Sequence, residues 1–345
     1  MSDFRISQIS KSDSVAIAKL DSLLAQEGIK RDKNLDYSCA MFDDDYNIVA
    51  TGSCYKNTLR CFAVSRAHQG EGLLNEIISH LIDYEYQRGF FHLFIYTKAA
   101  SAKFFKDLGF YEIASVDGTL SFLENKRTGF SEYLKSLGKP TTQAGAVVMN
   151  ANPFTLGHLF LVETAALQCE TLHLFIVSED ESLVPFAVRK HLVMEGTAHI
   201  PNIVYHDSGS YIISSSTFPS YFLKDEEDVI KGHARLDIEV FKRISSHLGI
   251  TKRFVGEEPF SVVTGLYNKI MKEELSKNGL ECVIIPRKTY CGEPISASAV
   301  RRALKDGNTK ALLNLVPKST ADFFLSDQAT PIIEKIRSAE TVVHY

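Results

Sequence analysis

One short stretch limits what this chain can fold into more than any other: Asn152-Pro153-Phe154-Thr155-Leu156-Gly157-His158. It follows an apolar run, Ala146-Val147-Val148-Met149, and precedes a helical pattern over residues 159–167. Strand, tight turn and helix is the layout of an anion site. The first turn of a helix presents unpaired N–H groups and the positive end of the helix dipole. Gly157 lets a ligand approach the backbone closely, and His158 sets an imidazole at the same helix start. Thr155 adds a hydroxyl. Asn152 serves either as a turn former or as a contact to ribose or phosphate, and the residues alone leave both readings open.

A second cluster lies far downstream in Ile295-Ser296-Ala297-Ser298-Ala299-Val300-Arg301. Ser296 alone is explained as a helix N-cap. Ser296, Ser298 and Arg301 together, at helical spacing, suit phosphate oxygens better than a cap does. The two clusters resemble the T/HxGH and ISSTxxR motifs of the nucleotidylyltransferase superfamily. That resemblance implies cleavage of a nucleoside triphosphate between its α and β phosphates. It also implies His158 and Arg301 as catalytic residues, with Asn152, Thr155, Gly157, His158, Ser296, Ser298 and Arg301 holding the nucleotide.

The surrounding pattern fits. From Gly145 onward, strands predicted at residues 146–149, 172–177, 203–205, 253–256 and 282–285 alternate with helices at 158–167, 184–195, 230–248 and 262–277, the signature of a parallel sheet. Such a sheet places ligands beyond the carboxyl ends of its strands. The first motif falls there, as do Ser178-Glu179-Asp180, Gly256-Glu257-Glu258-Pro259 and Pro286-Arg287-Lys288. Arg189, Lys190 and Arg253 have the chemistry of triphosphate clamps, but each taken singly reads as a solvated charge. Glu257 and Glu258 read equally as loop caps or as groups orienting a metal-bound water or a ribose. Ser214, Ser215, Ser216 and Thr217 read as a pocket-shaping tract or as an irregular loop.

The front of the chain has a different pattern. Strands are predicted at residues 4–9, 37–42, 47–55, 59–64 and 91–96, with helices at 12–25, from Gln69-Gly70-Glu71-Gly72 to Gly89, and at 101–108. This order resembles the GNAT-type acyl-CoA-binding fold over most of residues 1–125. Gln69, Gly70 and Gly72 fall where that fold has its pyrophosphate loop, and Ala102-Lys103-Phe104-Phe105-Lys106-Asp107-Leu108-Gly109-Phe110 matches its later A-x-x-F-Y-x-x-x-G-F segment. The chain departs from the loop pattern at Leu74, where Gly or Ala is usual. The fold class expected is therefore α/β. A GNAT-like mixed α/β domain (1–125) is followed by a linker (126–143) with a short helix near residues 133–137, then a Rossmann-like nucleotidylyltransferase domain (144–345).

Composition removes several function classes. A length of 345 residues favours two domains. A formal net charge of −4 argues against a nucleic-acid binder, which would carry a basic surplus. No apolar run reaches the roughly 18 residues of a membrane span, and the N-terminus lacks the pattern of a signal peptide; a cytoplasmic protein is expected. The six cysteines form no C-x-x-C pair, which argues against zinc and for reduced thiols.

Four segments narrow the reading further. They are residues 211–223, Gly232-His233-Ala234-Arg235-Leu236-Asp237, Arg253-Phe254-Val255-Gly256-Glu257-Glu258-Pro259, and residues 295–302. Together with the GNAT-like front they resemble the citrate lyase ligase family over nearly the whole chain. That resemblance implies ATP and acetate as substrates; Mg²⁺ is the ion expected chemically for triphosphate handling, no permanently bound cofactor is expected, and the metal ligands stay unassigned. The same resemblance implies acetyl-AMP and pyrophosphate as first products. The partner implied is the citrate lyase complex, whose acyl carrier subunit bears a CoA-like thiol arm that takes the acetyl group. Gln69, Gly70 and Gly72 then become candidates for binding the diphosphate of that arm. Rival readings are a nucleotidylyltransferase making a CoA-like dinucleotide, a GNAT-type acetyltransferase, and a non-catalytic carrier-binding adaptor.

Overall fold

A computed structural model describes residues 4–212, 218, 226–257 and 262–340, with the backbone alone at 226 and 262–264. Two compact units form, one from residues 1–132 and 218–239, the other from 133–217 and 240–345.

The front unit contains β1 (Ile6–Gln8), α1 (Ser14–Gln26), β2 (Tyr37–Phe42), β3 (Ile48–Tyr55), β4 (Thr58–Val64), α2 (Leu73–Gln87), β5 (Phe94–Lys98), α3 (Ala102–Asp107), β6 (Tyr111–Val116) and β7 (Leu120–Glu124). The strands form one sheet in the order β1-β2-β3-β4-β5-β7-β6. Every junction is antiparallel except β4–β5. This is the GNAT-like mixed α/β fold expected from the sequence. The apolar stripe of α2, Leu73, Ile77, Ile78 and Leu81, is buried against the sheet. Its packing is so close that a Cβ on Gly52 of β3 would lie 2.5 Å from Ile77 Cγ2. The helix ends where Gly89 turns left-handed, with φ +87°, as its position predicts.

Two details differ from expectation. The strand predicted at 91–96 starts at Phe94, because Phe91 is 61% exposed and packs its ring on Tyr86 rather than joining the sheet. The hairpin of β6 and β7 was not anticipated. It is closed around Gly118, with φ +68°.

Next comes α4 (Gly129–Ser136), starting earlier than the helix expected near 133–137. The rear unit then contains β8 (Ala144–Met149), α5 (Leu156–Ala166), β9 (Thr171–Ile176), α6 (Phe186–Gly196), β10 (Ile203–Asp207), the C-terminal part of α7 (Glu226–Leu248), β11 (Ile250–Gly256), α8 (Val262–Lys277) and β12 (Glu281–Ile285). A small hairpin, β13 (Thr289–Tyr290) and β14 (Glu293–Pro294), leads into α9 (Ala297–Lys305), α10 (Thr309–Leu315), α11 (Lys318–Phe324) and α12 (Thr330–Ser338).

The five long strands are all parallel, in the order β10-β9-β8-β11-β12. The chain runs outward from β8 in one direction and then returns to β11 on its other side. Sheets of this kind bind ligands where the strand order reverses, which here is the carboxyl end of β8. The core joins Val147, Leu174 and Ile176 of the sheet to Val162, Leu192, Val300, Leu304, Leu312, Phe324 and Ile336 of the helices. The helices α10 to α12, not anticipated from the sequence, therefore complete the rear core. Among the described residues no helix is long and apolar enough to cross a membrane.

Candidate active site

The chain leaves β8 at Met149 and turns sharply. Ala151 adopts φ +50°, and the Asn152–Pro153 peptide is cis. Phe154, fully buried, anchors the turn in the core. Thr155 then caps α5: its Oγ1 accepts the His158 N–H at 3.2 Å, while His158 Nδ1 accepts the Thr155 N–H at 3.2 Å. This is a reciprocal capping box with histidine in the usual place of a carboxamide or carboxylate. It fixes the tautomer. With Nδ1 occupied as an acceptor, the neutral ring holds its proton on Nε2. Burial pushes His158 down to about 4, helped by the positive charges of Arg287 and Arg301. The imidazole is therefore neutral near pH 7 and offers Nε2–H as a donor.

The second motif arrives on the same helix start. A Cβ on Gly157 would lie 3.0 Å from the Ile295 carbonyl oxygen. The close approach that Gly157 permits is thus made by the backbone of Ile295. Ser296 caps α9, its Oγ accepting the Ala299 N–H at 3.1 Å. One turn on, Arg301 is 2% exposed. It donates through Nη1 to the Asn152 carbonyl and through Nη2 to Ser298 Oγ at 3.1 Å. Asn152 is buried too, with its Oδ1 accepting the Val184 N–H at 3.0 Å. Asn152, Thr155, Gly157, His158, Ser296, Ser298 and Arg301 thus gather at the carboxyl end of β8.

The rear region, residues 144–324, matches the family described as citrate lyase ligase C-terminal domain. The chain is 37% identical over 325 residues to the [citrate [pro-3S]-lyase] ligase of Escherichia coli K12, covering 92% of each chain. It is 36% identical to the [citrate [pro-3S]-lyase] ligase of Haemophilus influenzae, covering 89% of this chain and 94% of that one. The chain belongs to the citrate lyase ligase family.

As a citrate lyase ligase family member it is an enzyme of the ligase class, and the dinucleotide-forming and acetyltransferase readings are not favoured. A GNAT-family acetyltransferase from Staphylococcus aureus Mu50 overlays on 36% of the chain and 99% of its own length, with a TM-score of 0.31 and 16% identity.

Around the rear cluster, charges predicted as solvated are not all so. Arg189 is fully buried, because main-chain carbonyls satisfy its guanidinium. Arg253 stands in the middle of β11, 4% exposed, with its guanidinium 4.3 Å from the centre of the Phe241 ring. Lys190 does reach the surface, where its Nζ pairs with Asp207 at 2.7 Å. Arg287, noted in the sequence only as part of a loop, acts on His158 electrostatically and donates to the Glu257 carbonyl at 2.7 Å. Ser214, Ser215, Ser216, Thr217 and Glu258 lie outside the described residues. Among the described residues no three or more of His, Cys, Asp and Glu gather where they could hold a metal ion.

The front unit has its own cleft. β4 and β5 pair only at Thr58↔Phe94 and Leu59↔Ile95 and then part. A bulge that places Cys61 at φ +54° re-aims β4 at this point. The gap is a cleft of about 630 Å³ lined by Phe62, Leu74, Tyr96, Lys98 and Phe104, with Gln69, Gly70 and Gly72 at the start of α2. Gly70 and Gly72 have φ +88° and +83°, and a Cβ on either meets nothing within 4 Å. Glycine is required there by the left-handed backbone, not by lack of room. All six cysteines are free thiols, with Cys291 exposed.

Proposed function

We propose that the chain activates acetate with ATP and passes the acetyl group to the thiol of the citrate lyase acyl carrier subunit, in the cytoplasm. An acetate oxygen attacks the α-phosphorus, the Pα–O bond to the β-phosphate breaks, and pyrophosphate leaves with the electron pair. In the second step the carrier thiolate attacks the acetyl carbon, the C–O bond to AMP breaks, and AMP departs; the thiol proton passes to solvent.

The first step needs charge neutralisation and alignment more than covalent help. His158 Nε2–H, the free N–H groups at the start of α5, and the Ser298–Arg301 pair supply donors and positive charge to the triphosphate. Thr155 acts through His158 by fixing its ring, and Ser296 through α9 by capping it. Asn152 and Gly157 hold the two motifs together. Magnesium accompanies the triphosphate as part of the substrate and screens the leaving pyrophosphate.

The observation that supports this most is the buried bond from Arg301 to the Asn152 carbonyl. It ties two motifs 149 residues apart around one neutral imidazole, in a chain of this ligase family.

The front cleft is assigned to the carrier's arm. Its diverging strand edges leave main-chain groups for an amide-bearing chain, its aromatic walls suit an apolar one, and the left-handed turn at Gly70 and Gly72 opens N–H groups to a diphosphate.

Labelled acetate with ATP and thiol-form citrate lyase is expected to give acetylated carrier, AMP and pyrophosphate in equal amounts. ADP in place of AMP, or acetylation without ATP, contradicts the reading.

A further inference from the structure

Arg189 on α6 has no exposed surface, and every hydrogen bond it makes is to a main-chain carbonyl. Nε donates to Val184 O at 3.0 Å; Nη1 to Asn150 O and Val177 O, both at 2.8 Å; and Nη2 to Glu179 O at 2.6 Å. Asn150 belongs to the loop after β8, the other three to the loop after β9. Burial pulls the guanidinium below its usual pKa, and Asp180 and Glu179 oppose that shift from nearby. A buried cation without a hydrogen-bonded carboxylate is costly unless dipoles replace its hydration. Here four peptide carbonyls do so.

The arrangement orients both loops. In a trans peptide, C=O and N–H point in opposite directions. Carbonyls 150, 177 and 179, drawn onto Arg189, turn the N–H groups of Ala151, Ser178 and Asp180 the other way. That of Ser178 is taken by Ser208 Oγ at 2.8 Å. The next carbonyl in the first turn that is held, Asn152 O, is claimed by Arg301. Two buried guanidinium groups therefore grip the carbonyls of one turn, at the end of the strand where His158 and Arg301 gather. Left loose, those carbonyls could swing their negative ends toward a bound triphosphate.

We propose that Arg189 is a positioning residue for the nucleotide step: it pins the negative ends of the β8 and β9 loop peptides inward, so that the crevice keeps its affinity for a triphosphate. The inference rests on the reading that ATP binds beside His158 and Arg301.

The test is Arg189→Lys in the full chain, which keeps the charge but lacks the fork that reaches both loops. The expected result is a rise of roughly tenfold or more in KM for ATP and in the dissociation constant for ATP, with KM for acetate within about twofold of wild type. An unchanged KM for ATP, or a loss of rate that follows the folded fraction measured by circular dichroism with both KM values unchanged, overturns it. If the variant does not fold, the wild-type chain decides: ATP is expected to slow amide hydrogen exchange in the β8 and β9 loops together, and no response there overturns the proposal. Failure of the wild-type chain to bind ATP sinks the underlying reading; a wild type that binds ATP beside an indifferent Arg189→Lys sinks only the role of Arg189.

Discussion

The molecule starts two helices in two different ways. At the start of α5 in the rear unit, Thr155 and His158 cap each other and Gly157 is closed over by the Ile295 carbonyl. Arg301 reaches the same turn from a distant helix. At the start of α2 in the front unit no side chain caps the helix, and two left-handed glycines face open space. The first is a rigid site assembled by long-range contacts, with a neutral, oriented donor. The second is a local backbone shape. Rigidity suits a step whose catalysis depends on preorganised charge. An open turn suits a ligand that arrives and leaves on another protein.

The sharpest way to break this contrast is to remove the donors of the rear site. His158→Ala and Arg301→Ala are expected to lower ATP–pyrophosphate exchange by about 10²–10³. Arg301→Ala also removes the buried hydrogen bond to the Asn152 carbonyl, at about 1–3 kcal/mol of stability in denaturant titration. If either variant exchanges at the wild-type rate, the rear crevice is not the nucleotide site.

The carrier arm gives the next largest effect. Gly70→Asp puts a negative charge into the front turn and is expected to lower carrier-thiol acetylation at least about fivefold while acetate-dependent exchange stays within twofold. Equal loss of both activities would remove the docking role and indicate general misfolding.

Alanine at the two kinds of glycine compares the starts directly. At Gly157 the new Cβ meets main chain at 3.0 Å, and a loss of about 1–3 kcal/mol is expected together with slower exchange. At Gly70 the cost is backbone strain of about 1 kcal/mol, with exchange unchanged. Chemical denaturation and exchange assays on the pair distinguish them. Equal effects on exchange would erase the contrast.

The smallest effect concerns pH. Folding lowers His158 to about 4, and His206 in the rear sheet also to about 4, both mainly through burial. Between those values and the unfolded value of about 6.5, the unfolded chain binds protons that the folded chain excludes. Stability is therefore expected to fall as pH drops from about 6.5 to about 4, and to be insensitive to these groups above that window. For the same reason kcat/KM for ATP is expected to show no imidazole break near pH 6.5. An acid limb centred there, lost in His158→Asn, would mean that the ring is charged when it works.

Much of this was legible in the sequence, for identifiable reasons. Continuous apolar runs marked β8 and β9, which are buried on both faces, and a helical apolar stripe marked α2, which buries one. The two motifs announced their chemistry through residue type and spacing. Other features depend on partners remote in sequence. Nothing local to Arg189 says that four carbonyls await it, and nothing around Arg253 says that Phe241 will lie beneath it. The space at Gly157 reads as room for a ligand until Ile295 fills it. The β6–β7 hairpin was different: Asp117-Gly118 between two apolar runs is a turn signal that local reading could have used. α10 and α12 carry local marks as well, Asn308 capping the one and Pro331 in the first turn of the other, but their apolar residues gain meaning only against the core built by β8 and β9.

The most direct test is exchange of labelled pyrophosphate into ATP by the purified chain, without carrier protein, with and without acetate. Exchange is expected to require acetate and to disappear in His158→Ala. Exchange indifferent to acetate, or driven instead by a phosphate ester, would contradict the proposed reaction.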